Sequence, residues 1–149
     1  MKETSVTIIS TNLNKNLVKN YNDYFMIENN FTYPELLNKR KVIFFNVLNN
    51  LSKKELTKLF NYMNDNIIKY VNLTNNLELT LYTNYLIVCD KEKILAEGNT
   101  IEVLKNSKLL KRLGFELPFI IDLSLLLNDY NLIKDIYLNK ESLVDALWK

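Results

Sequence analysis

Short runs of β-branched and aromatic residues alternate along the chain with stretches whose apolar residues recur at helical spacing, the pattern of an α/β layer architecture. Strands are predicted at 6–10, 24–27, 41–47 and 67–71, with a hairpin-like pair at 85–90 and 94–97. The runs VTIIS and VIFF are continuous rather than alternating, which suits strands covered on both faces inside a mostly parallel sheet. Ser52 and Glu55 spell a capping box ahead of Leu56, Leu59, Phe60 and Met63, which share one helix face. Asn99 and Glu102 repeat that device, each satisfying an orphan amide of the first turn. Gly114 suits a left-handed helix end, Pro118 opens a helix over 119–127, and Asn139 caps a last helix over 140–148. The expected organisation is an α/β body over 1–98 and a helical carboxy-terminal extension over 99–149, with a change of layer rather than a flexible hinge between them.

Composition narrows the chemistry. With 149 residues, 48% hydrophobic and 24% charged, the chain fits one soluble globular unit. Its formal charge of +2, its two arginines (Arg40 and Arg112) and its lack of glutamine argue against nucleic-acid readout. Two glycines cannot build a P-loop or a dinucleotide fingerprint, and without histidine there is no Ser-His-Asp triad, Cys-His dyad or His-based zinc site. No cofactor or metal is expected. Cys89, alone within YLIVCD, reads as a small buried hydrophobe. No window approaches the roughly 18 apolar residues of a spanning helix, so the expected location is the cytoplasm, with membrane contact only through a partner.

The charged clusters have structural explanations. Asp90 and Glu92 flank the turn DKEK as a solvated hairpin tip, and Glu141 and Asp145 form an ordinary helix face. Lys39, Arg40 and Lys41 read as a solubilising loop, and Asn49-Asn50 and Asn75-Asn76 as turn and cap residues. The segment LGFELPFIIDLSLLL holds more apolar side chains than one helix face can hide. Phe115, Leu117, Phe119, Ile120, Leu123 and Leu127 are therefore candidates for either core or a protein interface.

From residue 41 onward the order strand, LNNLS, capped helix, strand, TNNLE and YLIVCDKEKILAEG resembles the carboxy-terminal half of an ABC transporter ATPase. The stretch TIEVLKNSKLLKRLGFELPFIIDLSLLL and the closing ESLVDALWK are similar to the helical extension of energy-coupling-factor ATPases. Residues 1–40 have no match. The resemblance implies that the magnesium-binding Walker B aspartate falls at Phe45, the catalytic glutamate at Asn46, the D-loop aspartate at Ser52 and the switch histidine at Asn75. Phe cannot ligate magnesium and Asn cannot take a proton from water. Both glycines lie downstream of residue 41, and only 40 residues precede the match where a P-loop subdomain belongs. The resemblance thus implies a shared scaffold without hydrolysis.

The family's extension helps join two ATPase subunits, so the resemblance implies a non-enzymatic protein pairing with itself or with a cognate ABC or energy-coupling-factor ATPase. Two other readings stay open. One is an enzyme whose site lies in the first 40 residues, using Asp23, Glu28, Glu35 and Tyr24 or Tyr33; the other is a module that binds nucleotide without hydrolysing it.

Overall fold

The computed structural model describes residues 5–148. Its centre is a six-stranded sheet of β1 (Ser5–Ser10), β2 (Phe25–Ile27), β3 (Lys41–Phe45), β4 (Lys69–Thr74), β5 (Tyr85–Asp90) and β6 (Lys93–Asn99), in the order β2-β3-β4-β1-β5-β6. All neighbours are parallel except the β5–β6 hairpin. The continuous apolar runs are the interior strands β1 and β3, as their pattern requires.

Several element boundaries differ from the sequence reading, and at the end of β3 and the start of β4 the difference has a backbone cause. The third strand stops at Phe45 instead of reaching residue 47, because Asn46 turns into the left-handed region with φ 53°. The fourth begins at Lys69, after Ile67 adopts φ 55°, and continues through Asn72 to Thr74. Polar residues that break an apolar pattern hid this continuation, although Asn72 and Thr74 are buried.

Helix α1 (Tyr33–Lys39) and two 3-10 helices, Lys15–Tyr21 and Leu77–Tyr82, were not foreseen. Thr32, Asn14 and Asn76 cap them, each accepting a backbone N–H. Helix α2 (Lys53–Asp65) has the expected capping box with both reciprocal bonds. Helix α3 (Thr100–Leu104) does not: Asn99 accepts from the Ile101 N–H, but the Glu102 carboxylate turns to Lys105 at 3.3 Å. With Lys one turn away, the ion pair replaces the backbone bond. Helices α4 (Ser107–Arg112), α5 (Phe119–Asp129) and α6 (Lys140–Leu147) complete the extension. Gly114 follows α4 at φ 90°, the left-handed exit foreseen for it.

On one face of the sheet Val42, Phe44 and Tyr70 pack against Leu56, Leu59, Phe60 and Met63 of α2. The same face continues across Ile9, Leu86 and Val88, which meet Val103, Leu104, Leu110 and Ile121 of the helical extension. The opposite face, with Ile8, Ile43, Val71 and Cys89, is covered by Leu17, Val18 and Tyr21 of the 3-10 helix Lys15–Tyr21, with Leu13 and Tyr24 beside it. Each fully buried aliphatic side chain in these layers contributes roughly 1.5–3 kcal/mol of transfer free energy, so the layered burial fixes the sheet and the strand ends that carry its loops.

Candidate functional site

In an open parallel sheet the carboxyl ends of the strands carry the ligand-binding loops. Here those ends are built largely from asparagine and threonine. Asn46 follows β3, and its N–H donates to the Leu73 carbonyl of β4 at 2.8 Å. Asn tolerates the left-handed backbone that this turn needs. Its Oδ1 accepts from Asn49 Nδ2 at 2.8 Å and from Thr74 Oγ1 at 3.4 Å, tying the β3–α2 loop to the end of β4. Thr74 Oγ1 also accepts from the Asn76 N–H at 3.0 Å.

Helix α2 starts beside this network. The Ser52 hydroxyl accepts from the Glu55 N–H at 3.1 Å, and Glu55 Oε1 accepts from the Ser52 N–H at 3.0 Å. Hydrogen bonding from Ser52, its backbone N–H first and its hydroxyl second, holds the Glu55 carboxyl below the usual carboxylate range. A cleft of about 640 Å3 opens between the β2–α1 and β3–α2 loops, with Asn29, Asn46 and Asn49 beside Phe31, Tyr33 and Lys58. Tyr33 leans on Tyr62 at a centroid distance of 4.6 Å, and Phe31 meets Phe44 edge-on at 5.2 Å, so both rings are held in place.

Of the four positions that the resemblance marks, Asn46 alone lines this cleft. Phe45 packs partly buried against the opposite face of the sheet. Ser52 is spent on the helix cap. Asn75 lies exposed just past β4 and makes no side-chain hydrogen bond among the described residues. Thr74 and Asn49, which complete the network, were not singled out for chemistry, because their roles depend on contacts 28 and 25 residues apart in sequence. An amide network donates and accepts hydrogen bonds but neither takes up nor releases a proton at neutral pH.

The carboxyl end of the central strand β1 is bonded to the β5–β6 turn. Ser10 donates to the Lys91 carbonyl, Thr11 Oγ1 donates to Asp90 at 2.8 Å, and the Lys91 N–H donates to Thr11 Oγ1 at 2.8 Å. The β5–β6 turn is thereby fastened over this end, and Asp90 has a structural role there.

The amino-terminal carboxylates stand apart. Asp23 pairs with Lys41 at 2.7 Å and Glu28 with Lys15 at 3.2 Å, both exposed, and neither they nor Glu35 line this cleft or a second one of about 520 Å3 at the amino ends of the strands. Tyr33 does line the first cleft, whereas Tyr24 packs on the opposite sheet face beside Tyr21. The basic run is accounted for locally: Lys39 lies over the Phe25 ring, Arg40 ends α1 at φ 68°, and Lys41 holds Asp23. Cys89 is buried, which pushes its thiol up from its ordinary value. Among the described residues no group of three His, Cys, Asp or Glu is placed to hold a metal ion, and no helix is long and apolar enough to cross a membrane.

The apolar candidates divide. Phe115 and Leu117 are buried beneath the extension, on the core side of the two readings open to them. They join Ile121 and Ile136 because the turn after Gly114 folds back on the sheet. Ile120 is partly buried against the same core. Phe119 is 77% exposed, and Leu123 and Leu127 are half-buried. Leu126 and Tyr130, at 51% and 69% exposed, continue the row at helical spacing.

No family model matches the chain. It is 29% identical over 86 residues to the energy-coupling factor transporter ATP-binding protein EcfA1 of Lactobacillus delbrueckii subsp. bulgaricus, a match over 57% of this chain and 30% of that protein. Against the EcfA1 of Bacillus subtilis it is 35% identical over 79 residues, 52% of this chain and 28% of that one. The EcfA1 of Geobacillus kaustophilus gives 29% over 82 residues, with 54% and 29% covered. Each match spans less than a third of the relative's length. This chain therefore resembles part of an energy-coupling-factor-type ABC transporter ATPase.

Proposed function

We propose that this chain is a catalytically inactive ABC-ATPase-like protein acting through protein contacts, pairing with itself or with an energy-coupling-factor-type transporter ATPase. The outer face of α5 carries this reading. Phe119, Leu123, Leu126 and Tyr130 follow one another at helical spacing, and three of the four are more than half exposed. Val144, Leu147 and Trp148 form a second apolar row along and just past α6. Large apolar side chains exposed in rows on surface helices favour burial against a partner. Inactivity is supported by Phe45 and Asn46, where the resemblance requires a magnesium ligand and a proton acceptor.

Size-exclusion chromatography with light scattering, on the chain alone and mixed with the EcfA1-type ATPase of its own organism, tests the proposal. A dimer or a mixed complex supports it. A monomer that leaves the ATPase peak unchanged overturns it.

A further inference from the structure

We infer that the asparagine-lined cleft at the carboxyl ends of β2 and β3 binds an uncharged polyhydroxylated small molecule, a sugar or polyol. Its volume of about 640 Å3 lies within the range of small-ligand sites. Charge selects against the commoner ligands of such a position. Lys58 is the only cation on the wall, and the Glu55 carboxylate is already committed to the Ser52 backbone. A phosphate would meet one ammonium, placed over the Tyr33 ring, and no second cation on this wall, while a divalent cation would meet one carboxylate that is already bonded.

The remaining polar groups are amides. Asn29, Asn30 and Asn50 make no side-chain hydrogen bond among the described residues, and Asn46 and Asn49 bond to one another while keeping further capacity. Each amide offers a carbonyl acceptor beside two N–H donors. A hydroxyl both donates and accepts, so adjacent hydroxyls on one ring match amides converging from two loops. A purely apolar ligand would leave these groups without partners. The lining supplies the other half of the match: Phe31 and Tyr33, each braced by a neighbouring ring, add aromatic surface beside the amides, with the Lys58 ammonium 6.0 Å from the Tyr33 ring centroid. This site lies on the strand ends and is independent of the α5 face, so it stands or falls separately from the protein-contact proposal.

The test is titration of the 15N-labelled full chain with glucose, maltose and myo-inositol, with adenosine and inorganic phosphate as comparators, following the Asn side-chain amide signals. At least one of the three polyols is expected to give saturable shifts at Asn46 and Asn49. Asn49→Ala is expected to weaken that binding about tenfold, the loss of one or two neutral hydrogen bonds. Tyr33→Leu, which keeps the wall apolar but removes the ring, is expected to weaken it by a similar factor. The inference is overturned if no polyol saturates, if only adenosine or phosphate does, or if both folded variants bind the polyol as the parent does.

Discussion

Asn49 Nδ2 donates to Asn46 Oδ1 at 2.8 Å, at the position where the resemblance to an ABC transporter ATPase puts the catalytic glutamate. The bond closes a loop whose first residue has φ 53°. Asn46→Ala loses the side-chain bonds and puts a less tolerant residue in the left-handed region, and is expected to cost about 2 kcal/mol in urea unfolding. Asn46→Gly keeps the backbone relaxed and is expected to cost about 1 kcal/mol less than the Ala variant. Equal losses would show that the left-handed backbone contributes nothing.

Ser52 and Glu55 make a stability prediction with a pH signature. Ser52→Ala is expected to cost about 1 kcal/mol at neutral pH. The folded state holds the Glu55 carboxyl below its ordinary value of 4.5, so its contribution is present above that value and lost as pH falls through the lowered one. The gap in stability between the parent and Glu55→Ala is therefore expected to narrow below pH 4.5 in acid titrations followed by circular dichroism. A gap independent of pH would contradict the capping role of the carboxylate.

Tyr70 is 1% exposed, with its hydroxyl 3.2 Å from both Asn64 Oδ1 and the Tyr82 carbonyl. Burial pushes its phenol from 10.0 up to about 12. Because the folded value is the higher one, the stabilisation is complete below pH 10 and declines as pH rises toward 12. Tyr70→Phe is expected to remove this alkaline decline while leaving the neutral-pH fold intact. Alkaline denaturation curves of the two proteins check it, and superimposable curves would rule out Tyr70 as the titrating group.

Asn72 is fully buried in β4, level with Thr7 of β1 and Phe44 of β3, and neither atom of its amide has a hydrogen-bond partner. A buried amide without partners is costly, whereas an apolar residue of similar size is not. Asn72→Leu is expected to raise stability by about 1–2 kcal/mol in denaturant unfolding. A loss instead would mean that the amide is satisfied in solution.

How much of this was legible in the sequence depends on how local each cause is. The interior strands β1 and β3 announced themselves because burial on both faces favours β-branched and apolar runs without a polar alternation. The Ser52, Gly114 and Asn139 devices were legible because a helix end is settled within four residues. The 3-10 helix Lys15–Tyr21 was not, since KNLVKNY is too short to show a helical period. Nor was the end of β4, where buried Asn72 and Thr74 owe their positions to strands far away in sequence. At the strand ends, Asn46 came from the resemblance alone, and its partners Asn49 and Thr74 needed the folded chain. The apolar excess after Gly114 was visible, but burial divided it, sending Phe115 and Leu117 inward and leaving Phe119 outside.

Sedimentation velocity of the parent and of a Phe119→Asp, Tyr130→Asp double variant, each alone and mixed with an energy-coupling-factor-type ATPase, tests the protein-contact proposal most directly. Both substituted side chains are more than two-thirds exposed, so the variant is expected to fold as the parent does. The parent is expected to sediment as a dimer or to co-sediment with the ATPase, and the variant as a monomer that does neither. A parent that is monomeric and binds no ATPase, or a variant that associates as well as the parent, would contradict it.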